Sequence, residues 1–191
     1  PMDAVKFAAG YGAWLKKRHG DCTVVIGRDA RPSGRMIENL VVSTLQGLGI
    51  DVINTGLSTT PTVEMLVPRY NAQGGIILTA SHNPKQWNAL KLLNEKGEFV
   101  SGADGAEILA LAESDEITFA EVDDLGTVTE DTDGLQWHID QILALSSVDA
   151  TLVANKKFNV VIDAVHSSGS VAIPMLLDKM GVTYTNLYPE P

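Results

Sequence analysis

The stretch Gly75-Ile-Ile-Leu-Thr-Ala-Ser-His-Asn-Pro84 sets a hydroxyl, an imidazole and an amide side by side just after an apolar run. Such a run predicts a buried strand, which would deliver Thr79, Ser81, His82 and Asn83 to its carboxyl end. In open α/β sheets that edge is where ligands bind. A serine hydroxyl on a tight, exposed loop there is suited to act as a nucleophile or to carry a phosphoryl group. An ordinary polar turn uses the same residue types, and on the residues alone both readings stay open. No Gly-x-Ser-x-Gly elbow surrounds Ser81, which argues against a serine hydrolase. No Gly-x-Gly-x-x-Gly follows the first predicted strand, and no Gly-x-x-x-x-Gly-Lys-Ser/Thr occurs, so dinucleotide and P-loop sites are excluded.

Other residues could join such a site. Arg28-Asp-Ala-Arg-Pro-Ser33 follows the apolar run Thr23-Val-Val-Ile-Gly27. Guanidinium groups of Arg28 and Arg31 could reach a phosphate on Ser81 or brace its loop, and Asp29 could hold an arginine. His82 could bond a phosphate oxygen or relay a proton, or simply serve the turn. Asn83 and Pro84 shape the loop, and Trp87 either covers it or packs at the surface. Lys91 lies ten residues beyond Ser81; it could stabilise charge or protect a sheet edge. Thr59, Thr60 and Pro61 could line the same rim, although a helix cap explains Thr59 equally well. Asp163 closes a later strand and is assigned no ligand role.

The elements that must position these groups follow from periodicity. A first helix covers Val5, Phe7, Ala8, Tyr11, Trp14 and Leu15. Strands are predicted at 23–27, 50–54 and 75–79. The helices between them cover 34–48, capped by Ser33, and 60–69, with Pro61 in its first turn. Strand and helix alternating in this way predict an α/β unit with largely parallel strands. A hairpin follows, with 89–93 and 98–100 joined by the turn 94–97, which makes the sheet mixed. A helix at 104–112 precedes an irregular acidic stretch, 113–132. An amphipathic helix at 133–145, a strand at 157–164, a helix at 169–180 and a strand at 182–187 complete the chain. The expected division is 1–132 as a first domain, 133–156 as a linking helix and connection, and 157–191 as part of a second, similar domain. An uncovered edge at 182–187 would invite self-association.

Composition narrows the function classes. The 191 residues are 45% hydrophobic and 20% charged, as in ordinary globular proteins. No apolar run approaches the roughly 18 residues of a membrane helix, so no membrane partner is expected. The single cysteine, Cys22, excludes an internal disulfide framework and any multi-cysteine zinc site, and is compatible with the cytoplasm. The net charge is −10, and it is unevenly spread. Residues 1–96 hold eleven Lys/Arg and seven Asp/Glu, whereas 97–155 hold fourteen Asp/Glu and no Lys or Arg. An acidic block repels phosphate backbones, so a nucleic-acid partner is not expected. The more basic first part is where an anionic ligand would be drawn.

Thr79-Ala-Ser-His-Asn-Pro84 resembles the active-site signature of the α-D-phosphohexomutases, the family of phosphoglucomutase, phosphomannomutase and phosphoglucosamine mutase. Gly27-Arg-Asp-Ala-Arg-Pro-Ser-Gly34 resembles the family's Gly-x-Asp-x-Arg-x-Ser segment. Gly56-Leu-Ser-Thr-Thr-Pro-Thr62 resembles its Gly-x-x-x-Thr-Pro, and Asn88-Ala-Leu-Lys91 its Asn-Gly-x-Lys, with Ala89 in place of Gly. Val161-Ile-Asp-Ala-Val-His-Ser-Ser-Gly169 resembles the opening of the family's second domain, with His166 where relatives often carry Asn or Gly. Pro189-Glu-Pro191 resembles the segment closing the strand that follows. The family's Gly-Thr-Ser-Gly-Ile-Arg-Gly-type opening, metal-holding Asp-Gly-Asp-x-Asp-Arg loop, sugar-selecting Gly-Glu-x-Ser-Gly-His loop and last phosphate-binding loop do not occur in this sequence.

The resemblance implies a three-layer α/β/α domain with a mixed, mostly parallel sheet, then the incomplete start of a second α/β domain. It implies an isomerase that interconverts hexose 1-phosphate and 6-phosphate, with Ser81 as phosphoserine and a hexose 1,6-bisphosphate as intermediate and activator. His82 and Lys91 are the implied catalytic partners of Ser81. Arg28, Asp29, Arg31, Thr79 and Asn83 are the implied phosphate and loop supports. Mg²⁺ would be bound through the phosphate on Ser81, with its remaining ligands outside these residues. On this basis the chain is expected to be an N-terminal piece of a four-domain enzyme, nearly inactive alone. The alternatives are a non-catalytic sugar-phosphate binding or regulatory module, or a phosphoglucosamine mutase within the same family.

Overall fold

The computed structural model describes residues 1–114 and 117–191. Helix α1 spans Met2–His19 and carries Lys16, Lys17 and Arg18 in its last turn, cations that suit the negative end of the helix dipole. Strand β1 spans Thr23–Arg28. Val24, Val25 and Ile26 are fully buried, as expected of a central strand covered on both faces. Helix α2 (Gly34–Gly47) leads to β2 (Asp51–Leu57), and α3 (Thr60–Arg69) to β3 (Gly74–Leu78). β4 (Leu90–Leu93) runs back antiparallel to β3. Among the described residues these strands form a sheet in the order β4-β3-β1-β2-β5, where β5 is Val128–Glu130. The β1–β2, β1–β3 and β2–β5 pairs are parallel.

Alternation along the strands divides the core into two layers. Val24, Ile26, Val52, Ile76 and Leu78 pack with Ala8, Tyr11 and Leu15 of α1 and Val41 and Leu45 of α2. Helix α4 (Gly102–Ala112) adds Ile108 to that side. On the other face, Val25, Ile77 and Leu93 pack with Val63, Leu66 and Val67 of α3. Trp137 of α5 (Gly134–Leu143) borders this second layer. The result is the expected three-layer α/β/α arrangement. Tyr11 fastens one layer to the sheet, its hydroxyl donating to the carbonyls of Leu93 at 2.6 Å and Gly75 at 3.2 Å. Gly74 makes room for it: a Cβ there would lie 2.0 Å from that hydroxyl.

After α6 (Ala150–Asn155), strands β6 (Asn159–Asp163) and β7 (Thr183–Leu187) pair in parallel around α7 (Gly169–Lys179). An ion pair from Lys179 to Asp140 of α5 ties this second sheet's helix to the first unit.

Four local expectations are corrected. The stretch expected to be irregular carries a 3₁₀ turn at Val122–Asp124 and the edge strand β5. All of β5 is exposed, so no apolar alternation announced it. Backbone pairing to β2 and two bonds at 2.7 Å from Thr127 to Asp51 hold it instead. Residues 115 and 116 of that stretch lie outside the described residues. The 98–100 arm of the hairpin is reduced to a bridge between Leu93 and Phe99. The connection before β6 carries a short helix, α6, capped by Asp149 Oδ1 accepting from the Leu152 amide at 2.8 Å. Ser33 precedes α2 but makes no side-chain cap bond; its hydroxyl accepts instead from Asn88 Nδ2 at 3.0 Å.

Candidate active site

The register of the central strands builds the site. Arg28 of β1 pairs with Leu78 of β3, and the Asp29 amide donates to the Leu78 carbonyl at 3.0 Å. The segment after β1 therefore runs beside the segment after β3, at the carboxyl end of both. On the other side, the Thr79 amide donates to the Ala89 carbonyl at 3.1 Å. The loop 80–88 thus leaves and re-enters the sheet between β3 and β4.

Ser81 stands at the head of this loop. Thr79 and Ala80 are still buried, whereas 81–87 are exposed. Ser81 adopts a left-handed conformation with φ +54°, uncommon for a residue with a Cβ and the kind of strain that functional loops retain. Its amide donates to Thr79 Oγ1 at 3.0 Å, and the Thr79 hydroxyl donates to Asp29 Oδ2 at 2.7 Å. The Asn83 amide and its Nδ2 both donate to the Ala80 carbonyl at 3.0 Å. Ser81 Oγ and the His82 ring make no hydrogen bond to any described residue, so both face solvent free to meet a ligand.

Arg31 lies across the open side of the loop. Its guanidinium pairs with Asp29 Oδ2 at 3.0 Å and donates to the carbonyls of Ser81 (2.7 Å) and Asn83 (2.9 Å). Further bonds go to the carbonyls of Pro84 (2.9 Å) and Trp87 (3.0 Å). Arg28 faces another way. Its Nε donates to Glu38 at 3.0 Å and its Nη1 to the Asp29 carbonyl at 3.1 Å. Arg28 thus braces the backbone of Asp29 from behind. Its partner Glu38, only 1% exposed on α2, belongs to none of the quoted motifs. A carboxylate on the core side of an amphipathic helix was the one available signal, since such groups stay buried only when paired. Asn88, clasping Ser33, is a second brace.

The remaining candidates are placed as follows. Thr59 is the N-cap of α3, accepting from the Thr62 amide at 3.3 Å, with Thr60 and Pro61 in the first turn. Trp87 is 60% exposed. Lys91 pairs with Ile77 in the β3–β4 ladder. Its ammonium lies 5.7 Å from the centroid of the Phe99 ring. Burial pushes the Glu64 carboxyl up, and the charge of Lys91 opposes that shift. Lys91 thus lies near Phe99 and Glu64 on the strand next to the one that leads to Ser81. Asp163 Oδ1 accepts from the Val165 amide at 3.0 Å in the turn after β6, which meets the site segment where the Ala30 amide approaches Ser167 Oγ at 3.4 Å. Among the described residues, no three His, Cys, Asp or Glu side chains are grouped to hold a metal ion.

A three-layer α/β/α sheet presenting a free serine hydroxyl on a braced loop beyond its carboxyl edge defines the class. Residues 1–118 match the family described as phosphoglucomutase/phosphomannomutase, alpha/beta/alpha domain I. The chain belongs to this family. It is 32% identical over 193 residues to a phosphoglucomutase/phosphomannomutase of Thermococcus kodakarensis, covering 100% of this chain and 42% of that protein. It is 34% identical over 186 residues to a phosphoglucosamine mutase of Lactobacillus acidophilus, covering 95% and 40%. The fold is shared with a phosphoglucomutase/phosphomannomutase family protein of Burkholderia thailandensis at a TM-score of 0.82 and 19% identity, over 100% of this chain and 41% of that one. The chain therefore spans about two fifths of the length of these relatives.

Proposed function

We propose that this chain is the phosphoserine-bearing part of a phosphohexomutase that interconverts hexose 1-phosphate and 6-phosphate. The observation that carries the reading is Ser81 itself, left-handed, exposed, with a free hydroxyl on a loop braced by the segment after β1. The names of the relatives support the reaction class, and they divide between glucose or mannose and glucosamine phosphates. The substrate class is therefore a hexose phosphate.

In the proposed cycle the Oγ–P bond of phosphoserine 81 breaks as a P–O bond forms to a sugar hydroxyl. The hydroxyl proton passes to a base, and the Ser81 oxygen takes up a proton. The bisphosphorylated hexose then turns over and returns its other phosphoryl group to Ser81 by the same step reversed. Phosphoryl transfer depends on in-line placement and charge stabilisation. A preset Ser81 supplies the first, and exposed His82 beside it and Lys91 one strand over are the groups assigned to proton and charge. The described residues do not by themselves make up a site for Mg²⁺. Any metal held by the phosphate on Ser81 takes its other ligands from elsewhere.

The division into 1–132, 133–156 and 157–191 is part of the proposal. It agrees with the two separate sheets. So is self-association of this chain at β6 and β7, where Val161 is 65% and Leu187 41% exposed; a molar mass by light scattering that stays monomeric at all concentrations removes it. No helix among the described residues is long and apolar enough to cross a membrane. We place the reaction in the cytoplasm, where its phosphorylated sugars occur.

The test is turnover of hexose 1-phosphates by the complete protein and by its Ser81→Ala variant. The proposal expects conversion to the 6-phosphate by the first and none by the second. Equal turnover by both contradicts it.

A further inference from the structure

An arginine beside a phosphoryl-bearing serine is ordinarily read as a ligand of the phosphate. The bonding of Arg31 leads elsewhere. A guanidinium has five N–H donors and no acceptor. Nε donates to Asp29 Oδ2; Nη1 donates to the carbonyls of Pro84 and Trp87; Nη2 donates to those of Ser81 and Asn83. All five donors are engaged within the loop and its brace, and the side chain is only 10% exposed. None is left for a phosphate oxygen.

The same bonds close a ring around Ser81. Its amide donates to Thr79 Oγ1, whose hydroxyl donates to Asp29 Oδ2. That carboxylate oxygen accepts from Arg31 Nε, and Arg31 Nη2 donates back to the Ser81 carbonyl. Asp29 Oδ1 also accepts from the Arg31 amide at 3.1 Å, which fixes the carboxylate against the loop. Both peptide groups that flank the Ser81 Cα therefore hang on one ion pair. The left-handed φ of +54°, unfavourable for a residue with a Cβ, is what this attachment enforces.

From this closed ring we infer that Arg31, Asp29 and Thr79 are positioning residues that set the direction of the Ser81 Oγ, and that Arg31 is not a ligand of the phosphate. Every link of the ring is made within the chain, between the loop and the segment after β1. That is preorganisation of the reacting oxygen, which in phosphoryl transfer acts on the rate of the step rather than on capture of the substrate. The rate consequence rests on the proposed mutase activity; the ring itself does not.

The test uses the complete enzyme with Arg31→Lys, Thr79→Val and Thr79→Ser. Lysine carries its donors on one nitrogen and cannot span four carbonyls and a carboxylate. Valine keeps the shape of threonine without the hydroxyl, and serine restores the hydroxyl. Arg31→Lys and Thr79→Val are expected to lower kcat by about 10²-fold, the cost of an ångström-scale misplacement. KM for the hexose phosphate should stay within about twofold, because no substrate contact is removed. Thr79→Ser should behave as wild type. Hydrogen exchange gives a second readout that needs no turnover: the Ser81 amide should be protected in wild type and Thr79→Ser, and exposed in Arg31→Lys and Thr79→Val.

A raised KM with unchanged kcat in Arg31→Lys, together with wild-type exchange at Ser81, overturns the inference and makes Arg31 a phosphate ligand. Exchange that responds as expected in an enzyme inert toward every hexose phosphate keeps the ring and refutes the mutase reading instead.

Discussion

Replacing Tyr11 by Phe removes one oxygen from a fully buried junction between α1 and the sheet. The phenol is fully buried, and it is the point at which α1 is fastened to β3 and β4. Its hydroxyl donates to Leu93 at 2.6 Å and Gly75 at 3.2 Å. The ring, stacked on Trp14 at 6.0 Å between centroids, stays in place. What is lost is a bifurcated bond, and two carbonyls lose a donor that no water replaces. A buried group left in that state costs about 1–3 kcal/mol. In a chain of this size each kcal/mol moves the melting midpoint by roughly 2–4 °C, so a fall of roughly 2–12 °C is expected by calorimetry or circular dichroism. Tyr184→Phe is the control. Its hydroxyl meets Asp178 at 3.3 Å in an exposed position, and the midpoint should not move. A second signature needs no melting. Burial pushes the Tyr11 phenol far above its ordinary pKa, so one tyrosine should resist ionisation in alkali until the chain unfolds, and the Phe variant should lack it. A Tyr11→Phe chain that melts with wild type would refute the assignment of net stability to this bond.

Other outcomes follow from single groups. Burial holds the His138 imidazole below its ordinary pKa, with Nδ1 2.8 Å from Thr62 Oγ1 between α5 and α3. The unfolded chain therefore takes up the proton first as pH falls. Stability should be full above the ordinary histidine pKa of about 6.5 and decline below it until the folded-state pKa is reached. Urea midpoints across that range check this, and a His138→Gln chain that keeps the same decline contradicts it. Burial pushes the Cys22 thiol up to about 11, so a thiol reagent at neutral pH should label it slowly in the native chain and quickly after denaturation; fast native labelling would contradict the structure. The chain spans about two fifths of the length of its relatives, so by itself it is expected to show no hexose phosphate turnover, and robust turnover lost on Ser81→Ala would overturn that.

Much of this architecture is written in local patterns. The runs at β1 and β3 are apolar on both faces, which only a covered central strand tolerates, and Thr79-Ala-Ser-His-Asn-Pro84 sits where such a strand must end. The brace around Ser81 was less legible. Asp29 and Arg31 stand out as a charged pair, but the partners of Arg31 are four backbone carbonyls, and carbonyls leave no trace in residue type. Glu38 was overlooked because its pairing with Arg28 spans a strand and a helix. Strand β5 escaped because its three residues are exposed and held by backbone pairing. Ser33 looked like a cap until Asn88, distant in sequence, claimed its hydroxyl.

The central claim is that Ser81 is the group that carries phosphate. Its most direct test is peptide-mapped intact mass of the complete protein after incubation with a hexose 1,6-bisphosphate, before and after phosphatase. One phosphoryl group is expected, located on Ser81 and removed by phosphatase. A stable phosphoryl group on another residue, or none in a protein that turns over hexose phosphates, would contradict it.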